Sequence, residues 1–156
     1  MKTILFLCTG NYYRSRYAEI FFNWHAQARR LAWKAESRGL ALSSNNPGPL
    51  SRHTLGRLTT HDISCRSVER FPINVTEADF AAADHVVAVK QTEHLPLVQK
   101  RFPNWLDSVE FWEVHDIDCS TPEEALPHLE CQVLELLARL MSPNAQIVND
   151  ASSCTA

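Results

Sequence analysis

Ile4-Leu5-Phe6-Leu7-Cys8-Thr9-Gly10-Asn11-Tyr12-Tyr13-Arg14-Ser15 is the stretch on which the reading of this chain turns. The apolar run Ile4 to Leu7 stops at Cys8-Thr9-Gly10, the pattern of a short strand buried on both faces. From Ser15 to Arg30 the apolar residues Ala18, Phe21, Phe22 and Trp24 follow a helical spacing. Between strand and helix lies Cys-x5-Arg-Ser, from Cys8 to Ser15. A loop that feeds a helix N-terminus points successive backbone N–H groups into one concavity, which makes an anion site. Gly10 is expected to permit the tight turn, and Asn11 to tie the loop together through its amide. Arg14 can grip two phosphate oxygens at once, as a lysine cannot. The same positive field favours a thiolate at Cys8, and the Ser15 hydroxyl can donate to it. Cys8 is thus read as a nucleophile over a bound oxyanion, with Thr9, Gly10, Asn11, Tyr12, Tyr13 and Ser15 forming the loop.

Downstream, strand and helix alternate. Leu31–Ser37 reads as a strand closed by Gly39, Asn45–Pro49 as a turn, and Ser51–Thr60 as a helix. Ala83–Val89 is a β-branched strand, and Gln91–Arg101 a helix stopped by Pro103. Val109–Val114 is a fourth strand, after which Thr121-Pro122-Glu123-Glu124 opens a helix that can run to Met141. This alternation predicts an α/β three-layer sandwich: a four-stranded parallel sheet with helices on both faces. In such sheets ligands bind at the carboxyl ends of the strands, and Cys8 falls there.

The 156 residues suit one domain, taken as 1–145, followed by a short polar tail at 146–156. A formal charge of −3 excludes a basic face for nucleic acid. The N-terminal apolar run is too short for an export signal, and no stretch is long enough to span a membrane. A cytoplasmic monomer is expected. Five cysteines with no CxxC and no zinc-type His spacing predict neither a metal site nor a disulfide framework, and no cofactor. Cys65, Cys119 and Cys131 are read as packing residues.

The loop resembles that of the low-molecular-weight protein tyrosine phosphatases, with their relatives the arsenate reductases and protein arginine phosphatases. Their pattern Cys-x-Gly-Asn-x-x-Arg-Ser is met by Cys8, Gly10, Asn11, Arg14 and Ser15. Glu36-Ser37-Arg38-Gly39 is similar to the family's Ser-Ala-Gly, which implies that Ser37 supports the loop asparagine. Pro47-Gly48-Pro49, Asp62-Ile63-Ser64 and Asp79-Phe80 also fall in familiar places, so the likeness covers about residues 2 to 140. It implies a metal-independent phosphomonoester hydrolase acting through a cysteinyl-phosphate, with a phosphorylated protein or a small aryl phosphate as substrate. The family takes its proton donor from an Asp-Pro pair after the fourth strand. Here Val114-His115-Asp116 matches that segment, so Asp116 is the implied acid, Asp118 the alternative and His115 a possible tuner of it.

Departures from the pattern bear on substrate. Ile117 replaces the proline, and Tyr13 stands where tyrosine phosphatases carry a second loop cysteine. Tyr12 takes a position that is Ile in tyrosine phosphatases and Thr in arginine phosphatases. No aromatic residue occurs between Leu40 and Arg70, where the family supplies a flank for phosphotyrosine. Two alternatives stay open: an arsenate reductase on the same fold, which needs additional cysteines, and a non-catalytic oxyanion-binding pseudophosphatase.

Overall fold

A computed structural model describes residues 1–142; the expected polar tail at 146–156 lies outside the described residues. Strands β1 (Lys2–Cys8), β2 (Trp33–Gly39), β3 (His85–Ala88) and β4 (Val109–Phe111) form one sheet in the order β2-β1-β3-β4. All three pairings are parallel. The helices are α1 (Arg14–Ala28), α2 (Arg52–Thr60), α3 (Glu77–Ala82), α4 (Gln91–Arg101) and α5 (Pro122–Met141), with a 3₁₀ turn at Pro103–Ser108.

Alternation along β1 divides the core into two layers, because successive side chains of a strand point to opposite faces. Ile4, Phe6 and Cys8 join Tyr17, Phe22, Leu129 and Val133 of α1 and α5 on one face. Leu5 and Leu7 join Phe80 of α3 and Val98 of α4 on the other. The predicted three-layer sandwich is the observed architecture. The strand order reverses at β1, which has β2 on one side and β3 on the other. The crevice at that reversal is where doubly wound sheets hold ligands.

Element boundaries moved where backbone hydrogen bonds competed. The second strand was expected at 31–37 but begins at Trp33, because the α1 terminus runs on: Leu31 N–H donates to Ala26 O at 2.9 Å and Arg30 takes φ 52°. Ser51 is the N-cap of α2 rather than its first residue, its hydroxyl accepting from His53 N–H. Thr121 holds the N-cap position of α5 without a side-chain bond. Helix α3 was missed, although Thr76 and Asp79 form a reciprocal capping box at its start.

Candidate active site

β1 carries Cys8 to the carboxyl edge of the sheet, and α1 opens six residues later. The loop between them is held by its own side chains. Cys8 Sγ lies 2.8 Å from Ser15 Oγ and accepts the Asn11 N–H at 3.2 Å. The sharp turn falls on Asn11, at φ 50°, and not on Gly10. A Cβ at Gly10 would meet only Asn46 Nδ2 at 3.6 Å, so the turn expected to need that glycine does not need it. Close approach requires glycine instead at Gly39, where a Cβ would lie 2.4 Å from Leu42 Cδ2 and 2.9 Å from Thr9 O.

The buried Asn11 amide fills its whole hydrogen-bonding capacity. Nδ2 donates to Ser15 Oγ at 3.0 Å and to Ser37 Oγ at 2.9 Å. Oδ1 accepts from Arg70 Nη1 and from Ile73 N–H, each at 3.0 Å. Ser37 donates to Glu19, and Arg70 spans Asn11, Ser37 and Glu19. Burial pushes the Arg70 pKa below its ordinary value, with Glu19 partly offsetting it. Arg70 and Glu19 carried no sequence signal, since they reach the loop only through the tertiary fold.

Arg14 is almost wholly buried and committed to carboxylates. Its Nη1 donates to Glu93 Oε2 at 3.1 Å and Val114 O at 3.1 Å; its Nη2 donates to Glu93 Oε1 at 2.9 Å and Asp116 Oδ2 at 2.9 Å. Burial opposes the charge on Arg14, but Glu93, Cys8 and Asp116 outweigh it and raise its pKa. Glu93, in the first turn of α4, was missed by sequence. Burial opposes its charge too, yet hydrogen bonds from His94, Arg14 and Thr9 hold its carboxyl well below the usual carboxylate range. An acid so firmly ionised cannot serve as proton donor. The neighbouring His94 is fully buried: its Nδ1 accepts from Lys90 N–H at 3.0 Å and its Nε2 faces Thr9 Oγ1 at 3.2 Å. Burial pushes its pKa down, partly offset by Glu93.

A cavity of about 500 Å³ opens over Cys8, with Arg14 and Asp116 in its lining. Asp116 Oδ1 accepts from Ile117 N–H at 2.8 Å, which fixes the carboxylate without a proline. Asp118 and His115 are exposed and do not line this cavity. Tyr12, Pro47, Leu50 and Ile117 give it apolar walls. The Tyr12 hydroxyl donates to Pro47 O at 2.7 Å, which leaves its ring standing at the mouth. Tyr13 is buried edge-on to His53, and its hydroxyl has no partner among the described residues. Burial, reinforced by the charge of Asp116, pushes the Tyr13 pKa up to about 12.

Of the remaining cysteines, Cys65 is buried, but Cys119 is exposed, which corrects its reading as a packing residue. Neither free thiol lines the cavity with Cys8. No cluster of three or more His, Cys, Asp or Glu among the described residues could hold a metal. Among the described residues no helix is long and apolar enough to cross a membrane.

A thiol at the head of the central strand, under a loop that feeds a helix and beside a buried arginine, is the arrangement of a cysteine-dependent phosphatase. The chain belongs to the low molecular weight phosphotyrosine protein phosphatase family, whose model matches residues 3–140. It is accordingly a cysteine-dependent phosphatase working through a cysteinyl-phosphate. No curated protein sequence matches it significantly. Among solved structures it is similar to the low molecular weight protein tyrosine phosphatase SP-PTP from Streptococcus pyogenes, with TM-score 0.78 and 22% identity over 92% of this chain and 95% of that one. A YwlE mutant from Bacillus subtilis gives TM-score 0.76 and 23% identity over 91% and 100%. The YwlE arginine phosphatase from Geobacillus stearothermophilus gives TM-score 0.71 and 22% identity over 90% and 93%.

Proposed function

We propose that the protein removes phosphate from protein side chains, phosphotyrosine foremost, with Cys8 as nucleophile, Arg14 and the loop amides as phosphate cradle, and Asp116 as acid and base. The observation that carries this is one cavity holding the Cys8 thiol, Arg14 and the Asp116 carboxylate between apolar walls. The thiolate attacks phosphorus opposite the ester oxygen. The P–O bond breaks, and the departing oxygen takes a proton from Asp116. Water then attacks phosphorus, its proton passes to Asp116, and the P–S bond breaks to return the thiolate, which Ser15 stabilises. Arg14 and the amides stabilise the charge spread over the equatorial oxygens.

The contact between Arg14 and Asp116 supports an order of events. Asp116 Oδ2 occupies one Nη2 proton of Arg14, for which an incoming phosphate oxygen competes. Phosphate binding therefore frees the carboxylate to face the leaving group, while Glu93 keeps its two-point hold on the guanidinium.

The Tyr12 ring and the apolar wall favour an aromatic leaving group over a guanidinium. Arsenate reduction has no support, because neither free thiol shares the cavity with Cys8. A thiolate nucleophile works best in a reducing compartment, which favours the cytoplasm. The test is turnover of an aryl phosphate and of phosphotyrosyl and phosphoarginyl peptides by wild type, Cys8→Ser and Asp116→Asn. Cys8→Ser is expected to abolish turnover, and Asp116→Asn to lower kcat about 10²–10⁴-fold. Binding of phosphate without any turnover by wild type would instead identify a pseudophosphatase.

A further inference from the structure

The mouth of the Cys8 cavity carries an arginine that no carboxylate among the described residues engages. Besides Cys8 and its two tyrosines, the cavity's ionisable lining groups are Arg14, Asp116, Arg52 and His53. Arg14 and Asp116 engage each other, and Glu93 engages Arg14 as well. His53 sets its ring against Tyr13 with centroids 6.2 Å apart. Arg52 is exposed and has no hydrogen bond or ion pair among the described residues.

Arg52 is also firmly placed. Ser51 N–H donates to Tyr12 O at 3.0 Å, and Thr54 Oγ1 donates to Tyr13 O at 3.0 Å. These bonds clamp the first turn of α2 to the phosphate loop on either side of Arg52. The side chain reaches a second cavity of about 300 Å³ that adjoins the first. There Arg57 is already bound to Glu130 by bonds of 2.7 and 3.0 Å. Glu123 lines that second cavity but not the one over Cys8, and it sits in the first turn of α5, where the helix dipole favours its charge. Arg52 is therefore the arginine at the mouth that no described carboxylate engages.

Resting on the phosphatase reading above, we infer that Arg52 is a specificity residue that receives the carboxylate of an acidic residue flanking the phosphorylated one in a protein substrate. A guanidinium pairs with a carboxylate in a planar fork, and a cation at the rim also speeds the encounter with an acidic segment. Exposed pairs are modest, so the preference is roughly two- to five-fold in kcat/KM at low salt.

The experiment uses two phosphotyrosyl peptides that differ only in having Glu or Gln on both sides of the phosphotyrosine. Wild type should prefer the Glu peptide by that factor, and the preference should fade in 1 M salt, where screening acts over about 3 Å. Arg52→Ala should bring the ratio to about one, Arg52→Lys should retain part of it, and Arg52→Glu should push it below one. A wild-type ratio of one, or a ratio unchanged in Arg52→Ala, would overturn the inference. An aryl phosphate run in parallel separates the two levels: its failure to turn over would overturn the phosphatase reading on which the inference rests.

Discussion

Glu93 and Arg14 meet in a two-point ion pair, with Oε2 at 3.1 Å from Nη1 and Oε1 at 2.9 Å from Nη2. Asp116 takes the same guanidinium at 2.9 Å from the cavity that holds Cys8. Glu93 thus holds both terminal nitrogens of the guanidinium, while Asp116 engages one of them from the cavity side.

Removing the anchor should therefore damage both stability and phosphate binding. Arg14 is 2% exposed and Glu93 28%, so Glu93→Ala leaves a buried cation with a weaker partner set. A loss of about 2 kcal/mol is expected, below the cost of breaking a fully buried pair because Glu93 is partly solvated. kcat/KM on an aryl phosphate should fall roughly 10- to 100-fold as the guanidinium loses its alignment. Inhibition by inorganic phosphate should weaken in step, and Glu93→Gln should be milder on every measure.

The loop turn makes opposite predictions for neighbouring residues. Asn11→Ala removes four hydrogen bonds, leaves the Ile73 N–H without its acceptor, and puts alanine at φ 50°. It should cost about 3 kcal/mol in urea denaturation. Gly10→Ala, where a Cβ has room, should change stability by less than about 0.5 kcal/mol.

His94 should make the fold sensitive to mild acid. Its folded-state pKa is depressed by burial, so near pH 6 the unfolded chain binds more protons than the native one. Stability associated with the neutral ring is present above about pH 6.5 and is lost as pH falls below it. His25 and His128, both depressed chiefly by burial, add to the same trend. Thermal melts from pH 7.5 to 5.5 should show a steeper decline in wild type than in His94→Asn.

Tyr13 carries a buried hydroxyl with no partner among the described residues. Replacing it by phenylalanine removes an unsatisfied polar group and keeps the ring against His53. Tyr13→Phe should leave stability unchanged or raise it by about 1 kcal/mol, measured by chemical denaturation.

Much of this was legible in the chain because local signals agreed with the fold. The run Ile4–Leu7, the helical spacing after Ser15 and the Cys8–Ser15 pattern together placed the loop at the head of β1. Ser37, known only through resemblance, lies 2.9 Å from the Asn11 amide. What escaped was set by long-range pairing: Glu93 lies 79 residues from Arg14, and Arg70 lies 59 from Asn11. Neither has a spacing that marks it. Gly10 misled for a related reason, since a glycine in a loop looks like the turn while the αL residue was the asparagine beside it. Helix α3 had a local signal, the Thr76–Asp79 capping box, that was passed over because the helix is only six residues long.

The most direct test of the account is to trap the phosphoenzyme. Asp116→Asn, mixed with an aryl phosphate whose phenol leaves without a proton, should accumulate the intermediate because the second step lacks its base. Acid quench, proteolysis and mass spectrometry should then find one phosphoryl group on the peptide bearing Cys8, and none in Cys8→Ser under the same conditions. Steady turnover by wild type with the phosphoryl group on another residue, or with Cys8→Ser as active as wild type, would contradict the assignment of Cys8.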